Sequence, residues 1–151
     1  TLGCVISVDV VTEIAIDRPR AEVAAYASDP ANAPEWYENI KAVEPVGDGP
    51  PRIGSRATFT AEFLGRRLAY TYEVAELVPA ERLVMRTSDG PFPMETTYSW
   101  ADLPGGGTLM TLENRGEPSG FSRVAAPALA AAMRRANRKD LARLKELLEA
   151  R

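Results

Sequence analysis

The chain has 151 residues, 45% hydrophobic and 26% charged, a length that suits one domain with a real core over residues 1–151. With no histidine and one cysteine, it cannot build a Ser-His-Asp or Cys-His nucleophile, an imidazole or four-thiolate zinc site, or an internal disulfide. Eighteen basic against twenty-one acidic residues, a net charge of −3, disfavour nucleic acid as the main partner.

The first residues, Thr1-Leu2-Gly3-Cys4, look like a lipoprotein cleavage site but lack the charged and apolar regions that precede such a cysteine. Cys4 is therefore expected as a free cytoplasmic thiol. Residues 5–16 alternate, with Ile6, Val8, Val10, Ile14 and Ile16 on one face and Ser7, Asp9 and Glu13 on the other. A period of two predicts a strand with one wet face. Asp17-Arg18-Pro19 opens a helix, with Asp17 or Arg18 near its cap and Pro19 in its first turn. That helix, Ala-rich over 22–28, ends at Asp29-Pro30. A second short helix covers 31–37 and carries Trp36.

Residues 40–46 read as a short strand, followed by the turn around Gly47-Asp48-Gly49-Pro50-Pro51. Then comes a run of alternating strands. Residues 55–64 turn Ala57, Phe59, Ala61 and Phe63 to one face; residues 67–77 do the same with Leu68, Tyr70, Tyr72 and Val74. After Pro79-Ala80-Glu81, the residues Leu83, Met85 and Thr87 face inward, with Arg82 and Arg86 outward. Beyond Gly90-Pro91 the inward set is Met94, Thr96, Tyr98 and Trp100. Gly105-Gly106-Gly107 makes a hairpin turn, and the last strand turns Met110, Leu112 and Asn114 inward. From Ser119 the period becomes helical, through Val124, Ala128, Leu129, Ala132, Met133, Ala136, Leu141, Leu144 and Leu148. Pro127 should kink this helix or start its long part, about 23 residues and roughly 35 Å. No apolar run approaches the ~20 residues that span a bilayer, so no membrane insertion is expected.

Consecutive strands joined by short turns make an antiparallel sheet, and one amphipathic helix must cover its apolar face. One helix is a thin plug for a sheet of about seven strands. The sheet presents large residues inward, whereas the helix stripe is rich in alanine (Ala125, Ala128, Ala132, Ala136). Two readings follow: large and small interdigitate into a solid core, or the small stripe leaves an apolar pocket with tyrosine hydroxyls in it.

Several segments fit one known pattern: Ile14-Ala-Ile-Asp-Arg-Pro19, Asp29-Pro30 with Trp36, Tyr72-Glu-Val-Ala-Glu-Leu77 with Pro79 and Arg82-Leu83, Gly107-Thr108, and the tail 140–149. Together with the order of elements, they make the chain resemble the polyketide cyclase/dehydrase and lipid-transport superfamily, also called START-like or SRPBCC. The resemblance implies an α+β helix-grip fold: a curved antiparallel sheet wrapped around a long C-terminal helix, with two short helices after the first strand and a hydrophobic cavity inside. It does not choose among the family's cyclases, lipid and quinone carriers, hormone receptors and binders.

By strand phase Glu62, Glu73, Glu95 and Glu113 point outward, as do Arg82 and Arg86, unless a bulge or a one-residue shift brings Arg86 or Glu95 inside. The inner face keeps hydroxyls, Asn114 and an indole, which suit a receptor better than a catalyst, since an unperturbed tyrosine titrates near 10. No catalytic residue, metal or cofactor is expected. The expected ligand-binding set is Trp36, Phe59, Phe63, Tyr70, Tyr72, Met85, Met94, Tyr98, Trp100, Met110, Asn114, Leu129 and Met133, with Trp36 as a guard at the mouth or as plain packing. Arg134, Arg135, Arg138, Lys139 and Arg143 read as a solvated basic face. The function expected is binding of a small hydrophobic molecule, of polyketide, lipid or isoprenoid type, by a cytoplasmic monomer or homodimer. The alternatives are an aromatase/cyclase-like enzyme and a protein-interaction module of toxin-like or co-chaperone type.

Overall fold

The computed structural model describes residues 8–47, 49–63, 65–89, 93–116 and 126–151. Cys4, Ile6, the Gly90-Pro91 turn, and Ser119, Val124 and Ala125 lie outside these residues, as do the side chains of Phe63 and Ala126. The elements run β1 (Val8–Ile16), α1 (Arg20–Ala27), a 3-10 turn (Pro30–Asn32), α2 (Ala33–Trp36), β2 (Ile40–Val46), β3 (Arg56–Phe63), β4 (Arg66–Val78), β5 (Arg82–Asp89), β6 (Met94–Asp102), β7 (Thr108–Gly116) and α3 (Ala126–Glu149). The alternation that predicted the strands is what lets each bury one face. In β1, Val8, Val10, Thr12 and Ile16 are buried while Asp9, Val11, Glu13 and Ala15 are exposed. One detail differs at α1: Pro19 sits at the cap with no capping side chain, and the helix proper begins at Arg20.

All seven strands form one antiparallel sheet in the order β1-β7-β6-β5-β4-β3-β2, open at both ends. Three register shifts bend it, leaving Lys41, Ala75 and Ser88 as extra residues in β2, β4 and β5. Each bulge adds local twist, and a curled sheet is the result. The bulges leave Arg86 outside: it pairs in register with Glu95, and its Nε donates to Glu95 Oε2 at 2.7 Å on the exposed face. The edge strand β2 is unsuited to further pairing, because Pro45 lacks an N–H and Lys41 sits at a bulge.

The α3 helix has 24 residues and spans about 36 Å. Pro127 stands in its first turn, where its missing N–H costs nothing. The helix runs alongside β1 and touches α2. Its C-terminus is tied to the end of β1. Arg18 donates from Nη2 to the carbonyls of Glu149 (2.9 Å) and Arg151, Lys145 Nζ donates to Ala15 O at 2.8 Å, and Thr108 Oγ1 holds Arg18 O at 2.7 Å. The guanidinium thus serves carbonyls that a helix end leaves without partners. Arg18→Ala is expected to cost about 1–3 kcal/mol of unfolding free energy, read as a lower urea midpoint. An unchanged midpoint would mean that water serves those carbonyls equally well.

With the helix at one edge, large side chains fill the space over the central strands. The main core joins Ile16, Trp36, Phe59, Tyr72, Leu83, Met85, Tyr98, Trp100, Met110 and Leu112 to Leu141, Leu144 and Leu148 of α3. A smaller cluster stands apart, with Val8 and Val10 of β1 against Leu129 and, partly buried, Met133.

Candidate functional site

The inner face carries two groups of rings. In one, Phe59 lies nearly parallel to Tyr70 (centroids 5.6 Å apart, 9°), and Tyr72 meets both edge-on at 5.5 and 5.2 Å. In the other, Trp36 lies 4.0 Å from Tyr37 and 5.8 Å from Tyr98, which meets Trp100 edge-on at 6.1 Å. Neighbouring strands place these residues side by side: Phe59 is paired with Tyr70 and Tyr72 with Thr87. Edge-on contacts put positive ring edges against negative faces, a favourable way to crowd aromatics.

The hydroxyls are organised as well. Thr96 Oγ1 donates to Asn114 Oδ1 at 2.9 Å, which uses its only proton. Tyr72 OH, 2.8 Å from the same Thr96 oxygen, is therefore the donor of that pair. The chain runs Tyr72 to Thr96 to Asn114, and among the described residues Tyr72 Oη keeps a free acceptor position. Tyr37 and Tyr98 hydroxyls pair at 2.6 Å. Burial pushes the Tyr72 hydroxyl up to about 12. Burial likewise raises Tyr70, Tyr98 and Tyr37. All four are neutral phenols near pH 7, fit to donate or accept a hydrogen bond and unfit to act as bases.

A cleft of 280 Å³ leads from the surface to this face. Its mouth is formed by Ser28–Pro30 after α1, Pro45 and Val46 at the end of β2, and the loop before β3; its inner wall by Phe59, Tyr72, Val74, Leu83 and Met85. Of the residues expected to bind ligand, Phe59, Tyr72 and Met85 line the cleft. Tyr98, Trp100 and Met110 are buried in the same core, and Tyr70 and Met94 pack on it partly buried. Asn114 joins through the Thr96 bond. Leu129 and Met133 do not join them: they pack on β1 in the smaller cluster, because α3 follows that edge. The side chain of Phe63 lies outside the described residues. Trp36 is 1% exposed and stands away from the mouth, as a wall between the second ring group and another cleft.

That other cleft, 440 Å³, lies between α2, β2 and α3 and is lined by Pro34–Glu38, Ile40, Lys41, Lys139, Asp140 and Arg143. At its floor Asp140 is 3% exposed and its Oδ1 accepts the Glu38 amide at 3.0 Å. Burial lifts its carboxyl to about 6, the Glu38 bond pulling it back in part. Sequence reasoning missed Asp140, Tyr37 and the Pro45–Arg56 rim. The helical spacing held a signal for the first: Met133, Asn137, Asp140, Leu144 and Leu148 advance by three and four along one stripe. Among the described residues no group of three or more Cys, Asp or Glu is placed to hold a metal ion.

Three comparisons bear on the fold and its kin. A protein of Thermus thermophilus shares the fold at a TM-score of 0.81 and 20% identity, with 94% of this chain and 97% of that one covered. The Zhui aromatase/cyclase from Streptomyces sp. R1128 follows at 0.80 and 15%, covering 95% and 94%. A START superfamily protein from Mycobacterium smegmatis stands at 0.76 and 19%, covering 93% and 99%. No curated protein matches in sequence. Among the described residues, no helix is long and apolar enough to cross a membrane. Residues 7–149 match the family model for polyketide cyclase/dehydrase and lipid transport, and the chain belongs to that family.

Proposed function

We propose that this chain is a single-domain binder of a small hydrophobic molecule, of polyketide, lipid or isoprenoid type, held between the inner sheet face and the elements around it. The observation that carries this reading is the cleft ending on Phe59, Tyr72 and Met85, with Tyr72 heading a hydrogen-bonded chain inside an apolar wall. Its 280 Å³ falls just below the usual size of ligand sites, about 300–1,000 Å³, so a compact ligand suits it. Convergent hydroxyls in an apolar site fix orientation, and the free lone pair of Tyr72 suits a ligand hydroxyl.

A second reading, a cyclase-like enzyme acting on a poly-β-ketone, draws on the neutral hydroxyls of that wall, but Tyr72 and Thr96 would have to give up their present acceptors to polarise a carbonyl. It lacks a base on the inner wall, since the tyrosines there are neutral, Asp29 stands at the mouth and Asp140 lines the other cleft. Binding is the better-supported reading.

The test is titration with a panel of hydrophobic ligands, followed by tryptophan fluorescence and amide shifts. Shifts centred on Phe59, Tyr72 and Met85 are expected. Tyr72→Phe should weaken ligands bearing a hydroxyl by about five- to tenfold while leaving hydrocarbon analogues unchanged, the worth of one hydrogen bond. A panel without saturable shifts on that wall would overturn the proposal. Turnover of a poly-β-ketone that Tyr72→Phe abolishes would favour the enzyme.

A further inference from the structure

The cleft between α2, β2 and α3 is separate from the ligand site above, larger, and differently built. Two elements bring cations to its rim. Lys139 and Arg143, one turn apart on α3, stand side by side, and Lys41 comes from β2. None of the three has its charge well compensated. Lys41 Nζ donates to the carbonyl of Glu38, a neutral acceptor, at 2.9 Å. Lys139 makes no ion pair among the described residues. Arg143 reaches Glu146 at 3.6 Å, with both side chains more than half exposed, a pairing worth little.

The acids facing them are Glu35 and Glu38, from α2 and the residues after it, and Asp140 from α3. Glu35 is engaged by the Tyr26 hydroxyl. Glu38 is exposed, so solvent and salt screen its charge. Asp140 is buried at the floor with one oxygen on the Glu38 amide. Pro34, Tyr37 and Ile40 supply an apolar side to the same cleft. Trp36, on its wall, carries a buried indole N–H with no partner among the described residues.

We propose that this cleft is a second binding site, which takes a small organic anion with an apolar body. The anionic group meets Lys41, Lys139 and Arg143, and the body packs on Pro34 and Tyr37. Asp140 is the opposing charge closest to the floor, so occupancy is linked to its protonation. With Asp140 charged, three cations face three carboxylates; with Asp140 neutral, the cleft carries one positive charge in excess. The direction follows from burial, which already favours the neutral acid. Anion uptake strengthens as pH falls through 6 and adds to that preference.

Benzenesulfonate is a suitable probe, because its charge is constant over this range, with benzyl alcohol as the uncharged control. Titrated into the 15N-labelled chain at pH 5, it is expected to give saturable shifts at Trp36, Tyr37, Lys41, Lys139 and Arg143. Affinity should fall about fivefold or more at pH 7.5. Asp140→Asn should hold the pH 5 affinity at pH 7.5. The double variant Lys139→Ala/Arg143→Ala, on an exposed face, should weaken binding about tenfold without changing the melting temperature. Benzyl alcohol should produce no saturable shifts there. The proposal is overturned if benzenesulfonate does not saturate at either pH, if the double variant binds as the parent does, or if the shifts fall on Phe59, Tyr72 and Met85. Because those last residues report the other cleft, failure here leaves the ligand-binding proposal distinguishable.

Discussion

Trp36→Ala is expected to remove about 3–5 kcal/mol of stability, a fifth or more of the roughly 5–15 kcal/mol that a domain commonly has. The indole is 1% exposed, lies 4.0 Å from the Tyr37 ring and 5.8 Å from Tyr98, and closes one end of the core. Alanine would open a hollow that these neighbours cannot fill, because Tyr37 and Tyr98 are held by their own hydrogen bond and Glu38 by Asp140. Trp36→Phe keeps a ring and removes a buried N–H that has no partner among the described residues, so it should lose much less. Urea unfolding of both variants reads the difference. Equal losses would show that the indole N–H matters more than its volume.

Replacing Asp140 with asparagine is expected to stabilise the chain at pH 7 by about 2 kcal/mol and to flatten its pH dependence between 4 and 6. The sign follows from proton uptake. An unfolded aspartate titrates near 3.9 and the folded one at about 6. Between those values the native state binds more protons than the unfolded state, so stability is greatest below about 4 and declines as pH rises to about 6. Above that the cost of a buried charge is fully present. Asparagine offers the same oxygen to the Glu38 amide without the charge. Asp140→Ala discards the acceptor too and leaves that amide unpaired, so it should gain less or lose outright. Thermal melts of the three proteins at pH 4 and pH 7 decide it. A parent melt that rises from pH 4 to 7 on account of Asp140 would contradict the assignment.

The succession of elements along the chain, with its seven strands, two short helical segments and long terminal helix, was legible in the sequence, because periods of two and of 3.6 report burial on one face directly. The inward phase of Phe59, Tyr72, Leu83, Met85, Tyr98 and Trp100 was readable for the same reason, and two bulges in β4 and β5 did not invert it. Which inward residues would share one space was not readable. Leu129 and Met133 have the right phase, yet they meet Val8 and Val10 because α3 follows the β1 edge, a choice made by tertiary packing. Asp140 was hidden by its type: a carboxylate on an amphipathic helix is assigned to solvent unless its place in the stripe is weighed above its charge. Most of the rim, residues 49–55, lies between β2 and β3, and no period marks such a connection.

The adjacency of β1 and β7 also governs how the chain reaches its fold. Val8 pairs with Gly116 and Ile16 with Thr108, and α3 then lies on β1. The first strand therefore waits for the last strand and the last helix. During synthesis at about 5–20 residues per second, β1 is made long before its partners emerge, an apolar face with no cover. Hairpins from β3 to β6 form from local contacts, while docking of β1 on β7 closes a loop of about 90 residues. Topologies dominated by such distant pairings fold in about milliseconds to seconds. The step that completes the sheet is thus the one most exposed to competing association, and mutations in the β1–β7–α3 seam should slow folding more than those in the central hairpins.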